Sequence, residues 1–142
     1  MSKILEQPTA FNDIECLHQT ITESGFTAIC NKNYDLLTMD GYRDQKFQAN
    51  IGIKKDDFVK VTGQFTYGDL GFSRGNDGSF ALTADDILMG SHQFGEVYDK
   101  FSQKYAEKAY VKNMYQQGFA LQSSTPTTDG NVHLEFAEMG GF

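Results

Sequence analysis

The chain is poor in several residue types, and each shortage excludes a class of protein. Its 142 residues contain no Trp, two Pro and two Cys. The two cysteines, Cys16 and Cys30, do not form a CxxC pair, and no Cys and His residues have zinc-site spacing. The chain is therefore expected to have neither a disulfide framework nor a bound metal. No apolar run approaches the ~20 residues that a membrane-spanning helix needs.

Basic residues are also scarce, since twelve Lys and Arg face nineteen Asp and Glu and give a net charge of −7. Binding to a nucleic-acid backbone or to an anionic membrane requires clustered Lys and Arg. We therefore expect neither a nucleic-acid partner nor a membrane partner. The first residues lack the apolar core of a signal peptide, which predicts a cytoplasmic protein.

Aromatic residues are plentiful, and they indicate a folded chain. Twelve Phe and seven Tyr are present, and apolar residues make up 39% of the sequence. A disordered chain carries few aromatic residues. The length fits a single domain, expected over residues 1–142, with a loose tail at about 138–142.

Two segments have the periodicity of amphipathic helices. The first spans 13–24, where Asn12 and Glu15 have the spacing of a capping box. The second and longer one spans about 95–116 and carries an apolar stripe with helical spacing. These two are the main predicted helices.

The remaining apolar segments favour β-strands. The turn-forming residues Gly-Asn-Asp-Gly at 75–78 separate two of these segments, which predicts a hairpin. The fold class is therefore α+β, an antiparallel sheet with two main helices packed mainly on one face. The predicted strands are 26–30, 47–53 and 58–62, the hairpin 70–74 with 79–83, and a second hairpin of 119–122 with 132–136.

No residue pattern indicates a catalytic site. His18, His92 and His133 are not placed beside a nucleophile and an orienting group. The glycines do not open a helix after a strand, as phosphate-binding loops require. The acidic pairs at 56–57 and 85–86 are interpreted as solvated turns and helix starts. The chain is predicted to be non-enzymatic and without a cofactor, although a dispersed carboxylate site stays open.

One charged pattern stands out on the longer helix, where four lysines recur at every fourth position. Like charges at this spacing cost a few tenths of a kcal/mol per pair. They form either a solvated flank offset by neighbouring acidic residues or a basic ridge for a protein partner with an acidic surface. The predicted partner-binding residues are Lys100, Lys104, Lys108 and Lys112.

Two further hypotheses stay open beside partner binding. A small-molecule binder or an enzyme would need a pocket assembled across the sheet, with polar groups from Tyr67, Asp69, Arg74 and Tyr105. Alternatively, the chain is a homo-oligomer or a structural component of a larger particle.

Several short motifs resemble a known family. Residues 69–74 (Asp-Leu-Gly-Phe-Ser-Arg), 77–82 (Asp-Gly-Ser-Phe-Ala-Leu) and 84–85 (Ala-Asp) are similar to the central motif of the family known as hypothetical chloroplast reading frame thirty-five. Residues 101–106, 117–119 and 129–134 resemble its later motifs. The resemblance implies a cyanobacterial, plastid or cyanophage setting, hence the plastid stroma or host cytoplasm, and brings no known activity, cofactor or catalytic residue.

Overall fold

The computed structural model describes residues 3–140, which divide into two compact units. The first unit runs to Tyr105 and the second begins at Ala106. The strands form one four-stranded sheet and two two-stranded sheets, and every named pair is antiparallel. The predicted α+β class and the antiparallel pairing of the strands are confirmed.

The first unit combines the four-stranded sheet, in the order β1-β6-β5-β4, with the separate β2-β3 pair. A 3₁₀ turn at Lys32–Tyr34 precedes β2. The elements in chain order are β1 (Ile4–Pro8), α1 (Ile14–Glu23), β2 (Leu37–Asp40), β3 (Lys46–Ala49), β4 (Ile51–Ile53), α2 (Lys55–Thr62), β5 (Leu70–Arg74), β6 (Phe80–Asp85), α3 (Asp86–Met89) and the first part of α4 (His92–Gln116).

The hairpin predicted over residues 70–83 is confirmed as β5 and β6. The Gly75 N–H donates to the Ser79 carbonyl at 2.8 Å, and Gly78 has a φ of +86°. That left-handed backbone suits glycine. Gly71 matters for another reason: a Cβ there would lie 2.7 Å from Phe47 Cε2. The Phe47 side chain of β3 thus packs directly on the backbone of β5 at Gly71.

The first helix is confirmed, but its predicted cap is wrong. Asp13, and not Asn12, is the N-cap, and its side chain accepts from the Cys16 N–H at 3.0 Å. The Asn12 N–H instead donates to the Tyr105 hydroxyl at 3.1 Å. The longer predicted helix is also confirmed as α4, which begins slightly earlier, at His92.

Aromatic side chains form much of the core of the first unit. The rings of Phe72 and Phe101 stack with centroids 5.8 Å apart, and Phe26 stacks on Phe58 at 5.7 Å. The largest side chains that are almost fully buried are Phe58, Phe80, Leu17, Ile21, Met39, Ile51, Leu82 and Leu88.

Three strand predictions in the first unit are wrong or incomplete. Residues 58–62 belong to helix α2, which ends at Gly63 in a left-handed conformation with φ +70°. Residues 26–30 form only an isolated bridge at Ile29. The segment 47–53 breaks at Asn50, whose side chain accepts from the Arg74 N–H at 2.8 Å, and the halves join different sheets. Strands β1 and β2 were not predicted.

The second unit contains the end of α4 and the confirmed C-terminal hairpin, β7 (Phe119–Pro126) and β8 (Val132–Glu138). The rings of Tyr110 and Phe136 meet edge to face, with centroids 5.6 Å apart. In the predicted tail, Glu138 ends β8 and the Met139 N–H donates to the Gly118 carbonyl at 2.7 Å. The last part of that tail, 141–142, lies outside the described residues.

Candidate functional site

A polar cleft of about 580 Å³ opens in the first unit. Its walls come from the turn between β2 and β3, the start of α2 and the loop that precedes β5. Small-molecule sites are typically ~300–1,000 Å³ in volume. We call this the polar cleft, and its lining residues are Asp40, Gly41, Arg43, Lys46, Lys54, Lys55, Asp56, Tyr67, Gly68 and Asp69.

Asp69 joins three elements at the base of the polar cleft. Its side chain is buried, and its Oδ2 accepts from the Asp40 N–H at 2.9 Å. Its Oδ1 accepts from the Lys55 N–H at 2.8 Å and so caps helix α2 from a distance. Lys54 Nζ lies 3.5 Å from Oδ2. The end of β2, the start of α2 and the start of β5 are therefore tied together by one carboxylate.

A second buried carboxylate, that of Asp85, holds the loop that precedes β5 in the chain. Its Oδ1 accepts from the N–H groups of Ile87 and Leu88, at 2.8 and 3.0 Å, and caps α3. Its Oδ2 accepts from the Tyr67 N–H at 2.6 Å and from the Thr66 hydroxyl at 3.0 Å. Asp85 does start a helix, as expected, but it is buried and not solvated.

The backbone at Gly68 forms part of the cleft floor. A Cβ at this position would lie 2.8 Å from both the Asp40 carbonyl oxygen and the Gly41 Cα. Such distances are too short for a side chain, so only glycine allows the two segments to approach. The Asp69 N–H to Asp40 carbonyl bond, at 2.7 Å, closes the same contact.

Four cationic side chains line the polar cleft, against three carboxylates. Lys46 forms a hydrogen-bonded ion pair with Asp40, which lowers the pKa of that carboxyl and raises the pKa of Lys46. Lys54 Nζ lies 4.0 Å from the other oxygen of Asp40. Arg43 lies over the Tyr42 ring, 5.0 Å from its centroid. The cleft is therefore locally basic in a chain of net charge −7.

The structure brings together only half of the predicted ligand pocket. Tyr67 and Asp69 line the polar cleft. Arg74 instead donates to the Gly78 carbonyl at 3.1 Å and lies over the Phe80 ring. Tyr105 is buried, and its hydroxyl accepts from backbone N–H groups at the start of α1. The side chains of Arg74 and Tyr105 thus make contacts within the fold and do not line the polar cleft.

The basic residues of the cleft were not predicted from the sequence. Lys54 and Lys55 come directly before the acidic pair at 56–57, where helix α2 begins. That run of opposite charges was the available signal. Arg43 and Lys46 lie in a turn and at a strand start, and nothing local in the sequence connects them to Asp69.

The lysine row divides between the two units. Lys100 is exposed and Lys104 half-buried, and both border a second cavity, of about 280 Å³, in the first unit. Lys104 Nζ also donates to the Glu23 carbonyl at 3.3 Å. Lys108 and Lys112 are half-buried and belong to the second unit. We call the second cavity the lysine groove; its apolar residues are Phe26, Val61, Val97 and Phe101.

Within residues 3–140, no group of three or more His, Cys, Asp or Glu is arranged to hold a metal ion. None of the helices in this range has both the length and the apolar character needed to cross a bilayer. Cys16 is buried and Cys30 half-buried, and the two do not form a disulfide with each other.

These features of residues 3–140 define a small α+β protein that has a polar cleft and a lysine-bordered groove. Residues 20–135 match the model of a family described as "Protein of unknown function (DUF1257)". The match covers most of the chain, and the chain belongs to that family. Neither the curated proteins nor the solved structures provide a match.

Proposed function

We propose that the chain is a non-enzymatic accessory protein that binds a protein partner with an acidic surface through the lysine groove. The observation that carries this proposal is a largely apolar cavity with two lysines on its border, which outnumber the one acidic residue in its lining, Glu23. Lys100 and Lys104 are neighbours at i,i+4 on α4, and both line the cavity. Lys108 and Lys112, which belong to the second unit, are proposed as further partner contacts on the basis of their spacing in the sequence.

The groove suits a partner segment with one apolar side chain flanked by carboxylates. Val61 is 41% exposed at the cavity, so apolar surface is open to a partner. Burying a Leu or Phe side chain contributes roughly 1.5–3 kcal/mol. Exposed charges at a rim mainly increase the association rate and determine which partner is preferred. The expected binding is therefore specific and sensitive to salt.

The biological setting rests on the resemblance described above. We propose that the chain is a divergent member of the family called hypothetical chloroplast reading frame thirty-five, acting in the cytoplasm of a cyanobacterium or infected host or in a plastid stroma. The resembling residues 69–74 and 84–85 include both buried carboxylates, Asp69 and Asp85. Their contacts within the fold account for the motif without a catalytic role.

The test is a capture experiment with matched variants in a cyanobacterial lysate. The wild-type chain, a Lys100→Glu/Lys104→Glu variant and a Lys32→Glu control are immobilised at low salt. Lys32 is exposed and lies outside the groove. We expect one stoichiometric protein to bind the wild type and the control, to be lost with the double variant, and to elute as salt rises.

A second variant separates the apolar contact from the charges. Val61→Asp places a carboxylate in the groove and should abolish capture, while circular dichroism checks that each variant is folded. Capture of the same proteins by all four chains would overturn the proposal. So would recovery of further copies of this chain alone, which would indicate self-assembly instead.

A further inference from the structure

We propose that the polar cleft is a second binding site, independent of the lysine groove, and that its ligand is a small soluble sugar phosphate. The cleft lies in the first unit and shares none of its lining residues with the groove. Its volume of about 580 Å³ accommodates a molecule of that size.

The phosphate would bind to the cations that other groups leave available. Lys46 and Lys54 both lie beside Asp40. Within residues 3–140, the side chains of Arg43 and Lys55 form no ion pair. A guanidinium presents a planar set of donors that matches a phosphate, and an ammonium adds a point charge. Arg43 and Lys55 are therefore the expected phosphate contacts.

The sugar would bind to the carboxylates that share the cleft. Asp40 and Asp56 are exposed there, and an ionised carboxylate only accepts hydrogen bonds. These groups repel a bare anion but accept from the hydroxyls of a polyol. The half-buried ring of Tyr67 supplies an apolar face against which the C–H groups of a sugar can pack. The mixture of charges thus favours a ligand that carries both phosphate and hydroxyl groups.

The cleft is held in shape before any ligand enters. Asp69 fixes the starts of α2 and β5, and Asp85 fixes the backbone of Tyr67. Gly68 excludes a side chain from the floor. Binding to a preformed cleft avoids the entropic cost of ordering a loop.

The backbone of Arg43 provides an independent reason to assign it a role. Arg43 has a φ of +57°, a left-handed conformation that L-residues rarely adopt. Glycine would fit this turn without strain. Strained residues cluster at ligand sites, where the side chain has a use that offsets the backbone cost.

The test is calorimetry of the full chain with three probes: ribose 5-phosphate, ribose and inorganic phosphate. We expect ribose 5-phosphate to bind at least about tenfold more tightly than either of the other two, because only it engages both sets of groups. Equal binding of phosphate and ribose 5-phosphate would overturn the assignment to a sugar phosphate. No binding of any probe would overturn the site itself.

Two variants and a control assign the contacts. Arg43→Gly and Lys55→Ala should each weaken ribose 5-phosphate about tenfold or more. Arg43→Gly should leave the melting temperature unchanged or raise it, so loss of binding cannot be attributed to unfolding. Lys60→Ala, on the same helix but outside the cleft, should bind like the wild type. Wild-type affinity in both cleft variants would contradict the proposal.

A final measurement concerns the source of the phosphate. Phosphorylated polyols also occur as lipid headgroups, so vesicles containing phosphatidylinositol 4-phosphate are tested by co-sedimentation. We expect no binding above that to phosphatidylcholine vesicles, given the acidic chain. Binding to these vesicles without binding to ribose 5-phosphate would overturn a soluble ligand.

Discussion

The two units of the chain bury their side chains to very different extents. In the first unit, Phe58 and Phe80 are each 1% exposed. Among residues 106–140 no side chain is buried, and Tyr110 and Tyr115 are 52% and 61% exposed. The first unit therefore has a hydrophobic core, whereas the described part of the second unit combines backbone pairing with half-buried contacts such as that of Tyr110 with Phe136.

The comparison shows that the number of paired strand residues does not by itself indicate how stable a unit is. The β7-β8 pair has seven registered residue pairs, more than the four of β5-β6. A two-stranded hairpin is nevertheless marginal in water unless it packs on other structure, because buried apolar area supplies most of the free energy of folding. The polar cleft and the lysine groove both lie in the unit with the core.

The largest expected contrast is in hydrogen exchange of backbone amides. Amides of β5 and β6 should open only on global unfolding, while those of β7 and β8 should open locally. We expect exchange to be at least about a hundredfold slower in the first set. Exchange followed by NMR on the full chain measures both sets at once. Equal protection would show that the hairpin unfolds only with the core.

The next contrast concerns one substitution made in both units. Phe58→Ala removes a buried ring and should lower the free energy of unfolding by about 3–5 kcal/mol. Phe136→Ala removes a half-buried ring and should cost less than about 1.5 kcal/mol. Urea unfolding followed by far-ultraviolet circular dichroism measures both values. A larger loss in Phe136→Ala would contradict the proposed division of stability.

A smaller contrast compares two aspartates that each organise a turn. Asp85→Ala removes the cap of α3 and leaves buried donors at Tyr67 and Thr66 without their acceptor, which should cost about 2–3 kcal/mol. Asp129→Ala acts in an exposed turn and should change the unfolding midpoint little. The same denaturation experiment compares them, with Asp77→Ala as an exposed control in the first unit. Similar losses at 85 and 129 would break the comparison.

The smallest effect is a pKa change in the hairpin turn. The Thr127 hydroxyl donates a hydrogen bond to the Asp129 carboxylate, and this is the main reason why the pKa of that carboxyl is lowered. Hydrogen bonds from Asn131 lower it further. Because the pKa of Asp129 is lower in the folded chain, these hydrogen bonds stabilise the fold at pH values above the unfolded pKa. That stabilisation is lost as pH falls through the folded pKa. Thr127→Val should raise the pKa of Asp129 toward its ordinary value. NMR titration of the carboxyl carbon measures it; an unchanged pKa would exclude Thr127 as the main cause.

The sequence predicted those elements whose signal is local. The turn at 75–78 and the apolar stripe of α4 are each contained in one segment. Residues 58–62 were misinterpreted because a short apolar run is compatible with a strand or a helix. Here the acidic residues at 56–57 and the left-handed Gly63 favour the helix. Strand β1 is mostly exposed, so it lacks the alternation that would reveal it.

The candidate site was less predictable, because its contacts join distant segments. Tyr67 and Asp69 were predicted as polar groups of a pocket assembled across the sheet. Nothing in the sequence shows that the Asp69 carboxylate reaches the backbone of Asp40 and of Lys55. The interpretation of Asp85 as a solvated residue failed for the same reason. Buried carboxylates cannot be recognised until their donors are brought to them by the fold.

The pairing of β1 with β6 has a consequence for synthesis of the chain. Ile4 pairs with Asp85, so β1 lacks this partner until β6 has left the ribosome. Translation adds about 5–20 residues per second, far slower than hairpin formation. The β5-β6 hairpin can therefore form first and present an open edge, and β1 then closes it. Completion of this sheet is a late event that couples the start of the chain to its middle.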